Sequence, residues 1–122
     1  MPSYARSIRP YVDAELAAAK RARVAGDHAA EFHHLERAHV IGQPSTRQHV
    51  RVHWRMLAWG LRRGSVREVF GQLVRLTGAA TKTAIGLVPT GNTGGSNVSP
   101  LQPLPIPADL AAIIARARSD VL

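Results

Sequence analysis

Apolar residues recur every three or four positions through most of the first 85 residues, a pattern that predicts amphipathic helices. We predict helices over residues 4–25, 28–41, about 46–63 and about 65–85. Glycines at the ends of the segments and polar residues before the next ones supply stop and cap signals. These are Gly26, Gly42 and Gly64 as stops, and Asp27, Ser45 or Thr46, and Ser65 as N-caps. Glu68, three residues after Ser65, completes a capping box.

The pattern changes at residues 86–107, which are rich in Pro and Gly and have no helical period. Scattered Leu, Ile and Val in this segment indicate that it is an ordered loop packed on the helices. A last helix is predicted over 108–119, with an apolar stripe. The fold class expected is therefore all-α: an antiparallel four- or five-helix bundle with a long ordered Pro/Gly-rich loop before the last helix. We expect one helical domain over residues 1–122.

Composition narrows the class of protein. The 122 residues include no Cys, which excludes disulfides and thiolate metal sites within this sequence. There is no run of about 20 apolar residues, so no membrane span is expected. No apolar stretch of a secretory leader stands at the N-terminus, and we expect a cytoplasmic protein.

The formal net charge of +8 arises from 16 Lys and Arg against 8 Asp and Glu. Such an excess attracts nucleic acids, and a basic helical nucleic-acid-binding module is one alternative function. No recognition motif accompanies the charge, so solvated Arg on outer helix faces is the favoured interpretation.

Five polar residues interrupt the faces that the helical period turns inward. They are Glu15, Glu36, His39, His49 and His53. Folding consecutive helices as hairpins places Glu15 opposite His39, and His39 opposite His49. The same folding puts Glu36 near His53 and brings Thr77 and Thr81 of the fourth helix close to the histidines. Buried carboxylates and imidazoles are costly unless a hydrogen-bond network, a metal ion or a substrate compensates them.

A buried transition-metal site is the function that this pattern favours. His49 and His53 stand at i and i+4, a spacing that lets two imidazoles bind one ion. Glu36 and His39 have a spacing found in metal-binding bundles. With Glu15 as an oxygen donor, the set suits Zn, Fe, Mn or Cu better than Ca or Mg. A metalloenzyme and a metal-handling protein both stay open, as does a metal-free enzyme or small-ligand binder with Glu15 and a His as the acid/base pair.

The Gly-rich sequence GNTGG at 91–95 is a second candidate feature, because such backbones can bind anions. It is not a P-loop, since the GxxxxGK[ST] pattern is missing. Asn92 and Asn97 could offer hydrogen bonds there, together with Thr77 and Thr81. We expect either a packed loop or a lid over the polar cluster.

Three segments resemble those of a small bacterial family catalogued as a domain of unknown function. They are HLERAHVIGQ (34–43), HVRVHWRML (49–57) and GAATKTAIGLVPTGNTGGSNVSP (78–100). The resemblance extends from about Ala5 to Leu110. It implies a compact all-α domain and supplies no activity.

Overall fold

The computed structural model describes residues 3–82, 92–96 and 103–119, and the side chains of all of these except 79–82. Five α-helices and no strand occur in these ranges, so the all-α class is confirmed. The helices are α1 (Tyr4–Val24), α2 (His28–Gly42), α3 (Thr46–Arg63), α4 (Val66–Lys82) and α5 (Ala108–Ser119). None of these helices is both long and apolar enough to cross a bilayer.

Side-chain caps fix where the helices begin. Asp27 accepts a hydrogen bond from the Ala30 amide at 3.0 Å, and Ser65 accepts one from the Glu68 amide at 3.2 Å. Each satisfies an amide that has no partner within its own helix. Gly64 ends α3 in the left-handed conformation, with a φ of 66°. The predicted breaks between the first four helices are thus confirmed, and the short links make each consecutive pair a hairpin.

The apolar core lies between α1, α2, α3 and α5. It contains Ile8, Val12, Leu16, Ala19, Leu35, Ala38, Val40, Ile41, Val52, Met56, Leu110 and Ala117. In the described part of the chain, α4 packs against no helix except α3. The inner face of α4 does not have to fill an apolar interface with the other helices. It carries two buried polar side chains, Glu68 and Gln72.

Part of the described Pro/Gly-rich segment packs on the helices, as the sequence predicts, whereas residues 103, 105 and 107 are exposed. Asn92 and Gly94 are buried, and Ile106 lies against the apolar core. Residues 83–91 and 97–102, which include the predicted end of the fourth helix, lie outside the described ranges. The segment 92–96 approaches α2 and α4 at the place where the polar residues of the core are concentrated.

Candidate metal centre

Three histidines from two helices meet in the interior. His39 comes from α2, and His49 and His53 come from successive turns of α3. Their ring centroids are 4.7–4.8 Å apart in all three pairs. Each ring offers one nitrogen such that all three nitrogens lie within 4.8 Å of one another. We call these residues the His triad. They are 2%, 7% and 2% exposed, respectively, so their ring nitrogens can form few hydrogen bonds with water.

A backbone carbonyl fixes the tautomer of His39. Its Nδ1 lies 2.5 Å from the carbonyl oxygen of Asn92. A carbonyl oxygen only accepts hydrogen bonds, so Nδ1 carries the proton and donates it. In the neutral ring, Nε2 then keeps a lone pair.

Gln72 does the same for His53. The Nδ1 atom of His53 lies 2.5 Å from Gln72 Oε1. The amide orientation is set by the other end of the side chain, where Nε2 donates to Glu68 Oε1 at 2.6 Å and to the Gly94 carbonyl oxygen at 2.9 Å. Because both partners accept only, the amide oxygen must face His53. Nδ1 of His53 therefore donates, and its Nε2 also keeps a lone pair.

The two lone pairs face each other. Nε2 of His39 and Nε2 of His53 are 3.1 Å apart. Two acceptors at this distance repel each other unless a cation stands between or beside them. The cation can be a proton shared by the two rings or a metal ion bound by both.

Burial opposes the proton. It is the main cause that lowers the pKa of His39 well below its usual range, and His53 and His49 add to the effect. Burial, with the nearby His53, lowers the pKa of His49 to about 3. Burial also lowers the pKa of His53 to about 4, although the hydrogen bond to Gln72 counteracts it. At neutral pH all three rings are neutral, which is the form that binds metals.

The segment 92–96 closes over the triad at Gly94. A Cβ at this position would stand 2.5 Å from Cδ2 of His39, and the φ of Gly94 is 83°. Both the contact and the backbone conformation require glycine. The Gly94 amide donates to Asn92 Oδ1 at 2.9 Å, which holds the turn that presents the Asn92 carbonyl to His39.

Glu68 supports this arrangement from α4. Its carboxylate accepts from Gln72 and from the Ser96 amide, the latter at 3.2 and 3.3 Å. A backbone amide of the Gly-rich loop thus donates to a carboxylate of the same chain. In the predicted capping box only the hydrogen bond from the Glu68 amide to Ser65 is observed, and the Glu68 carboxylate serves the loop.

The structure does not bring Glu15 to the triad, and its predicted position opposite His39 was wrong. Its carboxylate pairs with His34 Nδ1 at 2.8 Å and with Arg37 Nε at 2.9 Å. The physical reason is the helical angle: His34 and His39 are five residues apart, so they point about 140° from each other around α2. The face of α2 that meets Glu15 is therefore not the face that carries His39.

Glu36 lies beside the 92–96 segment, outside the group of nitrogens. The Thr93 hydroxyl donates to its carboxylate, and His33 Nδ1 is 3.9 Å away. Burial raises its pKa, and the neighbouring Glu68 carboxylate raises it further. The structure therefore places Glu36 next to the loop, and Glu36 is not in the group of candidate metal donors that the described residues form.

The other predicted ligand residues have different outcomes. Asn92 reaches the centre through its backbone carbonyl. Thr77 is exposed, and its hydroxyl donates to the Leu73 carbonyl oxygen at 3.4 Å, so its predicted place near the histidines was wrong. Five residues separate it from Gln72, which puts it about 140° from the inner face of α4. The side chain of Thr81 and all of Asn97 lie outside the described part of the chain.

The sequence analysis did not identify Gln72, and it assigned Glu68 to a capping box without its contacts to Gln72 and Ser96. Gln72 is fully buried on α4 and contacts His53, Glu68 and Gly94. The available signal was spacing, because Glu68 and Gln72 stand at i and i+4 and so share one helix face. An inward polar pair on α4 would have indicated that the polar centre extends beyond α2 and α3.

A family model covers residues 6–114 of the chain, and its description is "Protein of unknown function (DUF3703)". The chain belongs to this family. No curated protein and no solved structure matches it. Membership confirms the resemblance to a domain of unknown function and brings no activity with it.

Proposed function

We propose that this DUF3703 member binds one transition-metal ion through Nε2 of His39, Nε2 of His53 and a ring nitrogen of His49. The observation that carries the proposal is that two unprotonated Nε2 atoms, of His39 and His53, lie 3.1 Å apart in a buried site. Two nitrogens bound to one tetrahedral Zn²⁺ lie about 3.3 Å apart, given the usual Zn–N length. The third nitrogen lies within 4.8 Å of the others, within reach of a side-chain rotation.

The donor set narrows the metals. Three neutral imidazoles suit Zn, Cu, Ni or Fe, whereas Mn, Mg and Ca prefer oxygen donors. Glu15 is engaged with Arg37 and His34, which takes away the oxygen donor that favoured Mn. Met56 packs in the apolar core, and its sulfur accepts from Gln72 Nε2 at 3.5 Å.

The test is stoichiometric metal binding by protein purified without a His tag. After treatment with a chelator, titration with Zn²⁺ is followed by calorimetry and by elemental analysis. One ion per chain is expected, and His53→Ala should abolish tight binding. His33→Ala is the matched control, since the His33 side chain is 67% exposed and should not contribute. Absence of a stoichiometric metal under anaerobic, metal-replete conditions contradicts the proposal.

A metal-free acid/base site built on Glu15 gains no support from the geometry, because the histidine that Glu15 contacts is His34. The same carboxylate also pairs with Arg37 at 2.9 Å, so both of its oxygens already have partners.

A further inference from the structure

Both imidazoles with a fixed tautomer donate to neutral acceptors. His39 donates to a backbone carbonyl oxygen and His53 to an amide oxygen. Many metal sites place a carboxylate in this position, which makes the imidazole more basic and spreads negative charge towards the metal. Neutral acceptors do so far less. A divalent ion in the triad therefore keeps most of its charge in a buried place, where uncompensated charge is costly.

The neighbouring carboxylates already have partners. Glu68 accepts from the Ser96 amide and from Gln72, and Glu36 accepts from the Thr93 hydroxyl. Neither contributes an oxygen to the group of candidate donors in the described residues. Three protein nitrogens also leave a tetrahedral ion with one open coordination position. In the described part of the chain no further His, Asp or Glu joins the triad, so a ligand from solution can fill this position.

Arg75 of α4 brings a positive charge to the side of the His triad that faces this helix. It follows Gln72 by three residues and Glu68 by seven, so all three share the inner face of α4. Its Nη1 donates to the Gly71 carbonyl oxygen at 3.2 Å. Gln72, on the same face, contacts His53, so this face of α4 is turned towards the His triad.

Ser96 lies next to this guanidinium. Its Oγ and the Arg75 Nη1 are 1.9 and 2.9 Å from the point where a Cβ of Gly71 would stand, so the absence of that Cβ lets both groups occupy one space. The Ser96 hydroxyl is buried and has no hydrogen-bond partner among the described residues. Arg and Ser donors side by side suit an anion, because a guanidinium presents several N–H groups in a fixed plane.

From these observations we propose that the metal ion in the His triad takes a small inorganic anion from solution as its fourth ligand, and that Arg75 attracts and orients this anion. The inference rests on the proposed metal site and specifies its ligand. A small anion fits the limited access, since even the most exposed member of the triad, His49, is only 7% exposed. Water fills the same position when no anion competes.

The test uses Co²⁺ as the metal and azide as the probe. Co²⁺ added to the metal-free protein should produce visible absorption bands, and azide should shift them saturably. Sodium perchlorate at equal ionic strength should leave the bands unchanged. Arg75→Gln should still bind Co²⁺ but weaken azide binding by roughly tenfold, the loss expected for a charge-assisted hydrogen bond. Arg55→Gln, at an exposed position of α3, is the matched control and should bind azide as the original chain does.

The outcomes separate the two proposals. If Co²⁺ produces no bands, the metal site is wrong and the anion inference fails with it. If Co²⁺ binds but azide leaves the bands unchanged, only the anion inference is overturned. Equal azide affinity in the original chain and in Arg75→Gln removes the role of Arg75. Should Arg75→Gln fail to fold, Arg75→Lys keeps the charge but loses the planar donors. Its azide affinity should then lie below that of the original chain, and an unchanged affinity overturns the orienting role.

Discussion

Two regions of the molecule place histidine next to other polar side chains, and they are built in opposite ways. In the first, Glu15 binds His34 and Arg37, and Arg37 also pairs with Asp109 at the start of α5. We call this the Glu15 network. Charges of both signs are present, and the side chains keep some contact with water. In the second region, the His triad, no carboxylate contacts a ring in the described residues, and the rings are buried.

The difference shows in which region two hydrogen-bond acceptors face each other. In the Glu15 network each of these contacts joins a nitrogen to a carboxylate oxygen, and together they tie α1, α2 and α5 to one another. In the triad, the Nδ1 atoms of His39 and His53 donate to Asn92 and Gln72, while their Nε2 atoms face each other. A histidine beside a carboxylate is thus a poor guide to function in this chain, and a histidine beside histidines is the better one.

Acidification should give the largest effect and should act through the triad. The pKa values of His49 and His53 are lowered to about 3 and about 4, from 6.5 in the unfolded chain. The unfolded chain therefore binds more protons between these limits, and stability is complete above pH 6.5 and falls as the pH falls. Each histidine contributes a slope of about 1.4 kcal/mol per pH unit. Urea unfolding of the metal-free protein at pH 7, 6 and 5 measures it.

The change of stability with pH also distinguishes the His triad from the Glu15 network. His49→Leu should make the dependence less steep, because one of the groups that must be protonated is gone. Stability that stays level between pH 7 and pH 5 would contradict the buried, neutral triad.

The second prediction concerns the glycine over the triad. Gly94→Ala should destabilise the protein by about 1–2 kcal/mol through its left-handed backbone and by about 1–3 kcal/mol more through contact with His39. Gly26→Ala is the matched control: its φ is 78°, yet nothing lies within 4 Å of the added Cβ. It should show the backbone cost alone. Chemical denaturation measures both, and equal losses would show that the approach of Gly94 to His39 is not tight.

The fold was largely predictable from local patterns. Caps and stops such as Asp27, Ser65 and Gly64 act within one turn of chain, so their effects can be read without the tertiary structure. Face assignment also succeeded for His39, His49 and His53, because each lies near the middle of a buried face. Hairpin folding then brought His39 to His49 as expected.

Residues at the edges of faces were not predictable in the same way. Glu15 lies beside the apolar stripe of α1, and a rotation of some tens of degrees decides whether it meets His34 or His39. The loop could not be placed at all, since the contact of Asn92 with His39 spans 53 residues and uses a backbone carbonyl. No side-chain pattern encodes a backbone acceptor, so this half of the site needed the three-dimensional structure.

The third prediction removes a support of the triad. Gln72→Met keeps the shape of the side chain but loses the oxygen that accepts from His53. Metal affinity should fall by about 10- to 100-fold, the usual cost of losing such a partner. Arg37→Met removes a comparable hub from the Glu15 network and should leave metal affinity unchanged. Calorimetric titration with Zn²⁺ compares the two, and an equal loss in both would mean that the effect is general destabilisation.

The smallest effect should come from Glu15→Gln. The amide can still accept one hydrogen bond, so the loss is the ionic part of a partly exposed pair, about 1 kcal/mol of stability or less. Because the carboxylate faces His34 and Arg37, metal affinity should not change. The two readouts together decide between the sequence-based position of Glu15 and the observed one. A ligand carboxylate would show the reverse result, with a large loss of metal affinity at nearly constant stability of the metal-free protein.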